Sequence, residues 1–182
     1  ATISLAPIRR LMLLRHAKSN WPTGMADRER PLAARGREAA PVMGRYLADE
    51  LLLPDLVLVS PARRTAETWE LVAPMLPERP AVHVEPRIYE AAERRLLEGV
   101  TEQEAGVKTL LMIGHNPGFE ELAALLTGHG DRYASVRMAR KYPTCGLAVL
   151  DFPVEDWRDV AARGGRLDRF VTPESLGEGP DE

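Results

Sequence analysis

The sequence predicts a three-layer α/β fold, with a central and mostly parallel sheet and helices on both faces. Three observations carry that expectation. Short apolar runs stand at residues 11–14, 56–59 and 110–113, and none alternates with polar residues. Such runs suit strands buried on both faces, and each is far shorter than a helix needs. Helical periodicities fall between the runs, which implies crossover connections and parallel pairing. Each run also leads straight into polar and cationic residues, and in open α/β sheets ligands bind beyond the carboxyl ends of the strands.

Taken in order, residues 11–14 (Leu-Met-Leu-Leu) read as the first strand. Ala39, Val42, Met43, Tyr46 and Leu47 then recur at i, i+3, i+4, i+7 and i+8, one face of a helix. Pro41 falls inside that stretch, so the helix either starts late or kinks there. Residues 56–59 (Leu-Val-Leu-Val) read as the second strand. Ala62, Ala66, Trp69 and Ala73 give a second helical face, ended by Pro74 and Pro77. Residues 81–84 are a weaker strand candidate, and residues 110–113 (Leu-Leu-Met-Ile) read as the third buried strand. Phe119, Leu122, Ala123 and Leu126 give a third helical face, closing near Gly128 and Gly130. Residues 147–152 are a second weak strand candidate. The whole chain, 1–182, is expected to be one domain with its core at about 10–173. The polar tail, 174–182, is expected to fray or dock loosely.

Composition narrows the function. Lysine and arginine number 24 against 27 acidic residues, a net charge of −3. No overall field gathers nucleic acid or an anionic membrane, so a bound anion needs a local cluster of cations. The single cysteine, Cys145, excludes an internal disulfide and a thiolate metal cage, and the four histidines contain no His-x-x-x-His pair. No metal or other cofactor is expected. No apolar run approaches the ~20 residues that cross a bilayer, and the run after Arg9 and Arg10 is too short for a signal-peptide core. The chain is expected to be cytoplasmic, with neither nucleic acid nor membrane as a partner. Its oligomeric state is left open.

The three strand ends carry the chemistry. Arg15-His16-Ala17-Lys18-Ser19-Asn20 follows the first run, Ser60-Pro61-Ala62-Arg63-Arg64-Thr65 the second, and Gly114-His115-Asn116-Pro117-Gly118 the third. Two histidines and several cations thus reach one edge of the sheet. Phosphoryl transfer through histidine suits them. A neutral imidazole is a competent nucleophile if its second nitrogen is held, and arginine forks stabilise the three phosphoryl oxygens. One arginine–phosphate pair at 4 Å contributes on the order of 4 kcal/mol at an effective dielectric of 20, so a few such contacts outweigh a small net negative charge. Asn116 would cap the following helix, with Pro117 at its first position and free N–H groups beside the anion.

These blocks resemble the histidine phosphatase superfamily, which includes the phosphoglycerate mutases and histidine acid phosphatases. The likeness is strongest to its small bacterial SixA-type branch of phosphohistidine phosphatases. Arg30-Pro31-Leu32, Arg35-Gly36-Arg37 and Pro143-Thr144-Cys145-Gly146 look like that branch too, and the likeness spans roughly residues 10–173. It implies a phosphoglycerate mutase-like fold and a metal-independent phosphatase working through a phosphohistidine intermediate. By this resemblance His16 is the residue phosphorylated, and Arg15 binds the phosphoryl group beside it. Arg64, four residues after Ser60, is the second phosphate-binding arginine, and His115 is the second histidine on the phosphoryl oxygens. Ala17 stands where the superfamily commonly has glycine. Glu90 is the candidate proton donor, with Glu85, Glu93 and Glu98 as competitors. Lys18 and Ser19 are candidate phosphate contacts, although a solvated loop explains them equally well.

Blander readings stand beside these. Arg63 is read as a surface charge, His83 and His129 as residues without a role, and Cys145 as a small buried residue. Trp21 either lines the mouth of the site or packs in the core. Residues 27–30 (Asp-Arg-Glu-Arg) read as a mixed-charge loop. About one helix, one strand and a loop separate His16 from Arg64 and Arg64 from His115, which leaves no room for a large cap. An uncapped site would admit a phosphorylated side chain on a protein. The partner is therefore expected to be a phosphorylated protein or, failing that, a small phosphorylated metabolite turned over by an ester phosphatase or mutase. A third reading, of another class, is a catalytically silent phosphate-binding module. The chain has neither a G-x-x-x-x-G-K-[ST] loop nor a G-x-G-x-x-G fingerprint for nucleotides.

Overall fold

The structure, a computed structural model, describes residues 6–179. Strands β1 (Arg9–Arg15), β2 (Leu56–Val59), β3 (Ala81–Val84), β4 (Thr109–Gly114), β5 (Thr127–Gly130), β6 (Leu147–Phe152) and β7 (Gly165–Val171) form one sheet in the order β3-β2-β4-β1-β6-β7-β5. Only β6 runs against its neighbours; β3, β2, β4 and β1 are mutually parallel, as are β5 and β7. Helices α1 (Ala34–Asp49), α2 (Arg63–Val72), α3 (Glu93–Thr101), α4 (Gly118–Leu126) and α5 (Arg132–Arg140) connect them.

The apolar runs bury both faces because successive side chains point to opposite sides of a strand. Leu11 and Leu13 of β1, with Leu110 and Met112 of β4, join one core with Leu96 of α3, Phe119 and Leu122 of α4 and Met138 of α5. Met12, Leu14, Leu111 and Ile113 join the other, with Met43 and Leu47 of α1 and Val72 of α2. Burying each such leucine stabilises the fold by roughly 1.5–3 kcal/mol. Two cores, one on each side of the sheet, give the three layers expected from sequence. The predicted face of α4 is fully buried: Phe119, Leu122, Ala123 and Leu126 are each 0% exposed.

Several local readings differ. α1 begins at Ala34, so Pro41 sits inside it, and the buried stripe runs through Gly36, Ala40, Met43, Gly44 and Leu47. Tertiary burial of that stripe tolerates one missing ladder bond. The inward face of α2 is not the apolar one. It presents Arg64, Thr65, Thr68 and Val72, while Ala66 and Trp69 are only half-buried. Those polar residues are buried because each finds a partner, and hydrophobic periodicity does not register such a face. β3 is exposed along its whole length, as befits an edge strand. Helices α3 and α5 and strands β5 and β7 were not expected. β5 reads Thr-Gly-His-Gly and has almost no side-chain signal; at Gly130 (φ +130°) a Cβ would lie 2.3 Å from the Leu167 carbonyl oxygen. In β7 charged residues at 166, 168 and 169 break the apolar run. The tail is docked, not frayed, through its described part. Glu174–Leu176 forms a 3-10 turn, Ser175 and Thr172 exchange hydrogen bonds, and Leu176 packs on the core around Val171. Residues 180–182 of the predicted tail lie outside the described residues.

Candidate active site

Strand register brings the three polar blocks together. β4 lies between β1 and β2, pairing Arg15 with Gly114 and Val59 with Ile113. The next residue of each strand end, His16, Ser60 and His115, therefore emerges at one edge. The His16 backbone N–H donates to the Gly114 carbonyl, and the two imidazole centroids lie 5.4 Å apart. A fourth segment ties the blocks to one another. The Tyr142 carbonyl accepts from both Arg15 Nη1 (3.0 Å) and Asn116 Nδ2 (2.9 Å), and the Cys145 N–H donates to the Arg15 and His16 carbonyls. Cys145 is buried, as read from sequence, and burial pushes its thiol up to about 12.

A backbone carbonyl fixes the His16 tautomer, and a hydroxyl engages His115. His16 Nδ1 lies 2.7 Å from the Ala17 carbonyl oxygen, which can only accept, so Nδ1 carries the proton and Nε2 the lone pair. His115 Nε2 lies 2.7 Å from Ser60 Oγ, which also receives the Ala62 N–H at 3.4 Å. With the Ser60 hydroxyl as donor to Nε2, the His115 proton lies on Nδ1. That Nδ1 is buried and has no acceptor. The same holds for Arg15 Nε and Arg64 Nε; the one other such atom among the described residues, Arg9 Nε, is at the opposite end of β1. Three buried nitrogens without partners thus come one from each of the three polar segments at the ends of β1, β2 and β4.

Arg64 is held from below by its own helix and from the side by Asp27. Thr68 Oγ1 donates to the Arg64 carbonyl and accepts the Ala17 N–H, locking α2 to the first block. Arg64 Nη1 donates to the Asp27 carbonyl (2.8 Å) and Nη2 to Asp27 Oδ2 (3.1 Å). Asp27 also accepts from Arg30 Nη1 (2.9 Å) and from the Tyr89 hydroxyl. These donors, Tyr89 first, hold its carboxyl well below the usual range. Within the mixed-charge stretch 27–30, Arg28 and Glu29 are exposed while Asp27 and Arg30 are paired. Asp27 and Arg30 belong to the site's framework, and a hydrophobicity scan gives them no mark. Tyr89 stands edge-on to the His115 ring at 5.6 Å.

The remaining predicted residues fall less centrally. The Ser19 hydroxyl is buried against Arg30 Nη2 at 2.6 Å and so serves that arginine. The Lys18 side chain is exposed, and its backbone is pinned by Gly36, where a Cβ would lie 2.2 Å from the Lys18 carbonyl oxygen. Glu90 is exposed with φ +54° and lines a cleft of about 430 Å³ that also meets Asp27, Arg64, Tyr89 and His115. Trp21 is 77% exposed, not core, and the Arg30 guanidinium lies 3.3 Å above its ring centroid. Arg63 is a surface charge beside Glu67. His83 and His129 are exposed on the two edge strands. α4 starts one residue later than read, at Gly118; Asn116 Oδ1 still caps it by accepting the Glu120 N–H.

Burial lowers His115 from 6.5 to about 4, helped by Arg64 and Arg15, and lowers His16 well below 6.5. Both imidazoles are neutral at pH 7. Above 6.5 folded and unfolded chains carry the same neutral rings, and no stability is lost. Below it the unfolded chain takes up protons that the folded chain refuses, so stability falls with pH down to about 4 for His115 and further for His16. The carboxylates with lowered pKa lose their contribution as pH falls through their ordinary values of 3.8 to 4.5, beneath the pH 5–7 range. Urea unfolding between pH 7 and 5 should show a slope in the wild type steeper than in His115→Gln by about 1 kcal/mol per pH unit. Equal slopes would overturn this account.

Comparison with known proteins identifies the family. A family model for the histidine phosphatase superfamily (branch 1) matches residues 11–138. A Mycobacterium tuberculosis protein (strain H37Rv) is 38% identical over 162 residues, covering 88% of this chain and 99% of the relative. A structure from Nakamurella multipartitia, assigned as the phosphohistidine phosphatase SixA, superposes with a TM-score of 0.81 at 26% identity, over 92% of this chain and 98% of that one. A second structure so assigned, from Agrobacterium tumefaciens, gives 0.75 at 28% identity, over 91% and 99%. The chain belongs to the histidine phosphatase superfamily, branch 1, and its likeness within it is to the SixA type.

Proposed function

We propose that the protein removes a phosphoryl group by transfer to His16 Nε2, and that its substrate is a phosphohistidine on another protein. One observation carries the mechanism: a single free imidazole lone pair sits beside three buried donors that lack acceptors. In the first step His16 Nε2 attacks phosphorus and the bond to the leaving group breaks. Arg15 Nε, Arg64 Nε and His115 Nδ1 receive the phosphoryl oxygens, whose charge they stabilise without reorganising. In the second step water attacks phosphorus and gives a proton to the Glu90 carboxylate left by the first step, the P–Nε2 bond breaks, and phosphate leaves. Among the described residues no group of three or more His, Cys, Asp or Glu could hold a metal ion, and the donors named supply the positive charge.

The substrate reading is supported by the open cleft and by the likeness to structures assigned as phosphohistidine phosphatases. Trapping acid-labile phosphoenzyme from a panel of donors tests it. A phosphohistidine protein should label and turn over faster than phosphoglycerate or a sugar phosphate. Efficient turnover of a sugar phosphate alone would favour the metabolite reading, and binding without label the silent module.

Glu90 is the proton donor in this scheme. An imidazole leaves phosphorus more readily than an alkoxide, so the acid matters more for an ester. Glu90→Gln should lower kcat on an alkyl phosphate by about 10²-fold and on a phosphohistidine by much less. Equal losses on both substrates would remove Glu90 from that role.

A further inference from the structure

The cleft beside His115 and Arg64 has opposite charge at its two ends. Its floor is cationic and imidazole-lined: Arg64 is 6% and His115 9% exposed, and Arg64 Nε and His115 Nδ1 have no partner. Its mouth is acidic. Glu90, from the loop after Tyr89, and Glu121, from the first turn of α4, both line it. Arg64 is the one cation among the lining residues. Glu93, in the first turn of α3, is the neighbouring carboxyl that holds Glu121 above the ordinary carboxylate range. Helix N-termini tolerate carboxylates. That explains each glutamate in its own helix, but not why two from different helices meet at the mouth of an anion site. Glu90 adds a third carboxylate from a backbone position, φ +54°, that side chains other than glycine, asparagine and aspartate adopt at a cost.

We infer that this mouth selects phosphorylated side chains carried on basic protein segments and turns away donors that bear a second anion beside the phosphoryl group. The inference rests on the phosphatase reading above and narrows its substrate class. The phosphoryl group meets the arginine and imidazole at the floor, while flanking lysines or arginines meet Glu121 and its neighbour Glu93. An exposed ion pair gives at most about fivefold, so two together should give about tenfold at low salt. A glycerate carboxylate or a second phosphate would be repelled by the same carboxylates.

Two phosphohistidine peptides, alike except for lysines or glutamates flanking the histidine, test this, with phosphoimidazole as a probe free of flanking charge. The wild type should prefer the lysine peptide about tenfold in kcat/KM at low ionic strength. That preference should shrink to about threefold or less in several hundred millimolar salt, where the screening length falls to a few ångströms. The Glu93→Gln/Glu121→Gln protein should show the same shrinkage while turning over phosphoimidazole at the wild-type rate. Turnover of phosphoimidazole with no preference between the peptides would overturn the inference and leave the phosphatase standing. So would a preference that the double variant retains. No turnover of any of the three, with no labelled enzyme, would remove the phosphatase reading and this inference with it.

Discussion

His16→Ala is expected to lose at least about 10⁴-fold in kcat and to show no acid-labile label with any phosphoryl donor. The size follows from what is removed. The Ala17 carbonyl fixes the His16 proton on Nδ1, so Nε2 is the atom left with a lone pair at the sheet edge. His115 Nε2 is already engaged with Ser60 Oγ. No second free imidazole remains to take over, and water would have to displace the leaving group directly. The arginines and His115 stay in place, so the variant should still bind inorganic phosphate. The backbone bond from His16 N–H to the Gly114 carbonyl does not involve the side chain, so the fold should persist. Its circular dichroism and urea midpoint provide that control. Turnover within tenfold of the wild type, in a folded variant, would overturn the nucleophile assignment.

How much of this was legible beforehand depended on which physics left a mark in the sequence. Residues 11–14, 56–59 and 110–113 are buried on both faces, and an unbroken apolar run is the direct signature of that state. Their following residues then had to lie side by side, because parallel neighbours in register end together. That Arg15, His16 and His115 converge was legible for that reason, and Arg64 was singled out because the three blocks resemble a known family. Asp27 and Tyr89 were not. Their place beside Arg64 depends on how a loop folds over α2, and a single aspartate in a charged loop looks the same whether solvated or paired. The Tyr142 carbonyl that joins Arg15 to Asn116 is a backbone atom and has no letter in the sequence. The buried face of α2 was read from its alanines, yet Arg64, Thr65 and Thr68 turned inward, since site chemistry outweighed hydrophobicity there. β5 escaped because close backbone approach, not side-chain pattern, holds its glycines.

Arg64→Ala should cost about 10²–10³-fold in kcat/KM, the loss usual for one donor aimed at developing charge, and Arg64→Lys should recover less than tenfold of it. Arg64 does two things at once. Its Nη1 and Nη2 edge is occupied by the Asp27 carbonyl and carboxylate, which aligns the planar fork, and its Nε is left without an acceptor. A lysine carries the charge but has a single nitrogen, so it either pairs with Asp27 or reaches the phosphoryl oxygens. Because His16 is untouched, the Arg64 variants should still form labelled enzyme, only slowly, and this distinguishes them from His16→Ala. Asp27 acts through Arg64 and is a positioning residue, so Asp27→Asn should cost about tenfold. The neutral amide still accepts from the guanidinium but holds it less firmly. A full phosphoryl-transfer rate in Arg64→Ala, or a larger loss in Asp27→Asn than in Arg64→Ala, would show that the carboxylate and not the guanidinium is the group facing the substrate. The expected order places the substrate against the Nε edge of Arg64, away from the carboxylate that steadies it.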